Sequence, residues 1–271
     1  LLLQTSDAGA SGVSGLLVLS TGASTSGNSG NLLIGTGGAV FGRGGSLYVS
    51  IGSGDSGTGG ELVLSAGTSS LGTGGRLVVR AGSSTSSSGD LLIQSSNAGA
   101  SGISGLLILS SGSASSGNSG GLLIGSGAAK SGTGGSVYVS VGSGNSGAGG
   151  EVVLSAGTSS FSSGGRVSVM SGFGTTSSGA LLLQTSNAGT SGVSGLLVLS
   201  SGSTSSGNSG ALYIGSGTAK SGRGGEVFVS VGNGNSGTGG DLTLSAGVSS
   251  VGTGGRLVLR TGSSTKSTGD L

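Results

Sequence analysis

Aliphatic residues recur along this chain at a fixed distance. The stretch LLVLSTGASTSGNSG, residues 16–30, can be laid over the whole sequence in steps of 15 with no insertion or deletion. Units begin at Leu1, Leu16, Asn31, Ser46, Glu61 and Arg76, and the series restarts at Leu91 and Leu181, giving 18 units with Leu271 opening a nineteenth. Residues 91–180 and 181–270 repeat 1–90 almost position for position, as in QTSDAGASGVSG at 4–15, QSSNAGASGISG at 94–105 and QTSNAGTSGVSG at 184–195. A fixed short period marks a quasi-linear array in which each unit meets only its neighbours.

Within the unit, position 2 is Leu or Val in all 18 copies, and position 4 is Leu, Ile or Val in 15 and Gln in the others, Gln4, Gln94 and Gln184. Apolar residues two apart, rich in β-branched types, predict a short strand. Position 7 is Gly in 15 units and Asp7, Asn97 or Asn187 in the rest, the set that tolerates positive φ, so a left-handed turn residue is expected there. Positions 13–15 (GNSG, GTGG, GRGG with the residue before) read as a second corner. One strand, a return segment and two corners predict an all-β fold, a parallel β-solenoid of 18 rungs of 15 residues in three 90-residue super-repeats. The whole of 1–271 is then a single continuous segment, super-repeats 1–90, 91–180 and 181–270, expected to be cut from a longer array because neither end carries a polar capping unit.

Stacking would place Glu61 beside Arg76, Glu151 beside Arg166, and Asp241 beside Arg256, since each acid at position 1 precedes an Arg by one unit. Volumes at positions 6 and 11 also trade. Ala66, Ala156 and Ala246 accompany Leu71, Phe161 and Val251, whereas Ile51, Val141 and Val231 accompany Ser56, Ser146 and Ser236, as if the two positions filled one space. The rung at 31–45, with Thr36 and Phe41, does not follow this rule. The three Gln at position 4 would be buried and bonded to backbone.

Position 3 should point away from such a core, yet it is apolar in 16 of 18 units, including Leu3, Val18, Leu33, Tyr48, Val63, Val78, Tyr138, Tyr213 and Phe228. Strands apolar on both faces are covered on both faces, so this strip predicts lateral assembly with another copy or another segment of the same long chain.

Composition narrows the remaining choices. There are 68 Gly and 7% charged residues, but the periodic aliphatics separate the chain from a disordered Gly/Ser linker. With no His and no Cys, the Ser-His-Asp and Cys-His constellations, a thiolate metal site and a disulfide framework are all excluded, and no enzyme is expected. The ten basic residues are scattered against eight acidic ones, so no nucleic-acid footprint is formed. GSGDSG at 52–57, GSGNSG at 142–147 and GNGNSG at 232–237 match a dinucleotide-binding spacing, but no amphipathic helix follows, and GSGAAKS at 125–131 lacks the Gly before Lys130 that a phosphate loop needs. A calcium ladder is not expected, because Asp55 becomes Asn145 and Asn235. No cofactor is anticipated. No apolar run reaches the roughly 20 residues of a membrane span. No N-glycosylation sequon occurs, and the Ser and Thr of the corners could carry O-linked glycans.

The units LLVLSTGASTSGNSG, LVLSAGTSSLGTGG and VYVSVGSGNSGAGG resemble the Gly/Ser/Thr-rich repeat tracts of cell-surface and secreted proteins of diatoms and related algae. That resemblance implies extracellular or cell-surface structural material and carries over no functional residue. The sequence thus predicts a structural subunit of an extracellular fibre that assembles laterally through position 3. The alternatives are a stalk or adhesin spacer displaying a binding domain elsewhere, and an ice- or carbohydrate-binding surface marked by an exposed Thr or aromatic ladder.

Overall fold

The structure, a computed structural model, describes residues 1–10, 12–265 and 268–270. It overturns the expected β-solenoid: the described residues contain no strand and no helix. Leu271, the start of the nineteenth unit, lies outside them. Two compact units are present, Leu1–Val137 and Tyr138–Leu271. The division falls at positions 2 and 3 of one repeat, not at a super-repeat boundary.

What the period builds instead, in most repeats, is a loop closed by a hydrogen bond within the repeat. Positions 13 to 15 and the following 1 to 9 run without a bend in nearly every repeat, and the chain turns at positions 10–12, as at 25–27, 40–42, 55–57, 70–72 and their counterparts downstream. In the fifth unit of each super-repeat the N–H of position 15 donates to the C=O of position 7, in Gly75 to Gly67 (2.8 Å), Gly165 to Gly157 (2.8 Å) and Gly255 to Gly247 (2.8 Å). In the sixth unit the donor is one residue earlier, Gly89 to Gly82, Gly179 to Gly172 and Gly269 to Gly262. The reason is visible in the sequence: position 15 is Asp90, Ala180 or Asp270 there, and the nearest glycine is at 14. In second and third units a hydroxyl at position 6 closes the loop by donating to the position-15 carbonyl, from Thr21 to Gly30 (3.1 Å), Thr36 to Gly45 (2.9 Å), Ser111 to Gly120 (2.8 Å), Ser126 to Gly135 (2.7 Å) and Ser216 to Gly225 (2.7 Å).

This closure explains why the repeats do not stack. A solenoid needs the return segment to bring position 1 of the next unit over position 1 of the last, about 20 Å of strand away from position 7. Position 15 is held beside position 6 or 7, so the next unit starts within one residue, about 3.8 Å, of that point. The segment from 8 to 15 ends where it began. Close approaches are accordingly almost all between residues fewer than 12 apart in sequence, and the inter-unit backbone ladder is missing among the described residues.

Three further expectations are corrected by the same geometry. The position-2 row is no core: no described residue is buried, and Leu17, Leu62 and Leu107 stay about half exposed. The accessible surface is 26702 Å², against roughly 10,000 Å² for a compact protein of this mass. Gln4, Gln94 and Gln184 are exposed as well, so water satisfies their amides. The left-handed residue is at position 12, not 7. Gly27, Gly42, Gly57, Gly117, Gly132, Gly207, Gly222 and Gly237 have φ of 88 to 138°, while no described non-glycine residue, Asp7, Asn97 and Asn187 included, has positive φ. Positive φ is needed where the chain turns hardest, and position 7 lies in the unbent run.

The trade in volume between positions 6 and 11 is not packing within the unit either. Leu71, Phe161 and Val251 are at least 98% exposed at their bends, whereas the position-6 side chains Ala66, Ala156 and Ala246 lie against the glycine at position 15. A Cβ on Gly240 would come to 2.7 Å from Val231 Cγ1, one on Gly150 to 3.2 Å from Val141 Cβ, and one on Gly60 would overlap Ile51 Cγ2. Glycine at position 15 of the fourth units is therefore demanded by close approach.

Candidate assembly surface

The candidate surface is built from the unbent segments, positions 1 to 4, whose side chains are half to almost fully exposed. In Leu1–Val137 the predicted strip residues Leu3, Val18, Leu33, Tyr48, Val63 and Val78 are all exposed, and in Tyr138–Leu271 so are Tyr138, Tyr213 and Phe228. The four aromatic side chains reach 86 to 92% exposure. Positions 2 and 4 are also open, so no inner and outer face can be told apart. Except in the repeats beginning at Arg166 and Asp241, where Ser168 and Thr243 take position 3, each repeat offers at least three aliphatic or aromatic side chains in positions 1 to 4. Successive patches are 15 residues apart in sequence.

The position-1 charges share these segments. Glu61, Arg76, Glu151, Arg166, Asp241 and Arg256 are exposed, and among the described residues no ion pair joins an acid to its Arg. The side-by-side placement expected from stacking is absent for the same reason as the ladder: the loops return each unit to position 7 and not to position 1.

A second set of residues, which the sequence reading passed over, fixes how the segments are displayed. Ser69, Ser159 and Ser249 at position 9 each accept the N–H of position 12, at 2.9 Å from Gly72, 3.0 Å from Ser162 and 2.8 Å from Gly252. In these fifth units the serine fastens the bend, and none of the three position-12 residues has positive φ. The pairing of Ser or Thr at 6 with Gly at 15 was the available clue, since it recurs through the second and third units.

The described residues enclose no pocket and gather no cluster of metal-ligating side chains, and no helix is long and apolar enough to cross a membrane. Comparison with protein families, with curated proteins and with solved structures finds no match.

Proposed function

We propose that this chain is a non-catalytic structural subunit of an extracellular fibre, and that it associates with further copies of itself through positions 2 to 4. One observation carries this reading: every large aliphatic side chain among the described residues is exposed, in patches repeated at one spacing. A soluble monomer rarely leaves more than a few hundred Å² of contiguous apolar surface uncovered. Isolated apolar residues need no partner, but patches at a constant spacing suit a partner with the same spacing, and a second copy has it. The resemblance to algal surface repeats supports the extracellular setting. The test is sedimentation and electron microscopy of the purified chain across a concentration series. Filaments above a threshold concentration support the proposal; a monomer at every concentration refutes it.

The exposure of Tyr48, Tyr138, Tyr213 and Phe228 favours a second reading, a carbohydrate-binding surface on a spacer, because sugars stack on open aromatic faces. Glycan binding lost on replacing these four side chains, in a chain that stays monomeric, is the result that would select it. O-linked glycans on the bend Ser and Thr residues are compatible with either.

A further inference from the structure

We propose that Asn233 and Gly234 form a self-modifying site, at which the chain closes a succinimide on itself, releases ammonia and ends with aspartate or isoaspartate where asparagine stood. The inference stands apart from the assembly reading above. Asn is one of the thermolabile residue types. Nine are spread along the chain, and the one at 233 alone precedes a Gly. Its counterparts at position 8 of the other fourth units are Ser53 and Ser143, so the pair belongs to the third super-repeat.

The step is a ring closure between neighbours. The backbone nitrogen of Gly234, its proton lost to hydroxide, attacks Cγ of Asn233; the N–Cγ bond forms, the Cγ–Nδ2 bond breaks, and the side-chain nitrogen leaves as ammonia after taking a proton from solvent. Water then opens the five-membered imide. Cleavage at Cγ gives aspartate, and cleavage at the main-chain carbonyl carbon gives isoaspartate, in which the side-chain methylene has entered the backbone. One water is consumed and one ammonia released, with no change of oxidation state.

Two observations set this pair apart. Ring closure swings the nitrogen of the following residue towards Cγ, and a Cβ on that residue obstructs the swing and restricts φ. Of the other Asn, five precede Ser, two precede Ala and one precedes Leu. The second observation is freedom to move. Among the described residues, nothing hydrogen-bonds to any atom of the repeat 226–240, whereas its counterpart 136–150 is closed from Gly150 to Gly142 at 3.1 Å. Asn28 and Asn118 lie in loops closed by Thr21 and Ser111, and the Asn145 amide oxygen accepts from Ser146 at 3.3 Å. Asn187 and Asn235 sit in repeats equally free of hydrogen bonds, but Ala188 and Ser236 follow them. Asn233 combines both conditions, and it and Gly234 are exposed to water. The product adds one negative charge to a chain of formal net charge +2, at a position that is uncharged in every repeat. Because the step needs only water, the converted fraction records the age of the chain.

The test follows the purified full chain through prolonged incubation at neutral and at mildly alkaline pH, by tryptic mapping and mass spectrometry. Cleavage after Arg223 and Arg256 isolates residues 224–256, which hold Asn233 together with Asn235. The expected result is conversion at 233 ahead of every other Asn, faster at the higher pH, with isoaspartate among the products. Gly234→Ala should abolish that lead without disturbing the loop, since the added Cβ would meet nothing nearer than the Thr238 carbonyl oxygen at 3.8 Å and φ is not in the left-handed region. Conversion of Asn235 as fast as Asn233, aspartate without isoaspartate, an unchanged rate in Gly234→Ala, or an Asn233 that persists throughout each overturns the proposal. Ser143→Asn separates the two conditions by setting the same pair in the closed loop 136–150. Conversion there should lag behind 233, and an equal rate overturns the part played by the free loop.

Discussion

Replacing Phe228 by Ser tests whether the repeated segments are covered in an assembly. The ring is 86% exposed, so nothing in the isolated chain depends on it. A dilute Phe228→Ser chain should match wild type in far-UV circular dichroism and hydrodynamic radius. Fully burying a Phe side chain stabilises by about 1.5–3 kcal/mol, and scaling by the exposed fraction leaves ~1.3–2.6 kcal/mol to be gained on assembly. That corresponds to a rise of roughly 10- to 80-fold in the concentration at which filaments form. The structure supplies an internal control in Phe161, which is 100% exposed but sits at a bend, in position 11. Phe161→Ser removes the same ring and the same hydrophobicity from outside the repeated segments. Light scattering over a dilution series reads both. Equal thresholds for the two variants would refute the reasoning, because loss of general stickiness, and not of a defined surface, would then explain the result.

Other outcomes follow from the loops. In the dilute chain, far-UV circular dichroism should show neither a helix nor a strand signature; a strand spectrum at concentrations below assembly contradicts the fold. Amide exchange should be slowed only modestly, about 2- to 12-fold for one hydrogen bond worth 0.5–1.5 kcal/mol, at Gly75, Gly165 and Gly255, whose N–H groups close their loops. Gly75→Ala should abolish that protection at residue 75, since its Cβ would lie 3.1 Å from the Gly67 nitrogen and 3.3 Å from Ala66 Cβ, while leaving residue 255 untouched. Ser126→Ala removes the hydroxyl that donates to the Gly135 carbonyl, and the carbonyl carbon shift of Gly135 should move to its random-coil value with no change at Gly120.

The period and the super-repeat were legible in the sequence, because they are written directly into residue type; the turn was not, since it was expected at position 7 and at 13–15 and the chain bends at 10–12. The stacking was not. Alternating Leu17 and Leu19 predict a strand face, but alternation says only which side chains point the same way, not whether another backbone arrives to pair. That is decided by the return segment, and Gly75 on Gly67 or Thr36 on Gly45 returns it too early. Volume trading between positions 6 and 11 misled in the same manner: it recurs because the 90-residue block recurs, while the contact that constrains position 6 is with Gly at 15, which has no side chain to vary.

The closed loops also set how the chain answers a pull. Between positions 7 and 15 lie eight residue steps, about 26–29 Å when drawn straight, yet a single hydrogen bond holds the two ends together, as between Gly67 and Gly75 at 2.8 Å. Tension along the backbone therefore meets a weak link before it meets the covalent chain, and breaking that link releases some 20 Å of slack. Where a repeat is closed, the closure lies within that repeat, so one can open without loosening another. A thread built this way lengthens in small recoverable steps, dissipating work at each, and regains its loops when the load is removed.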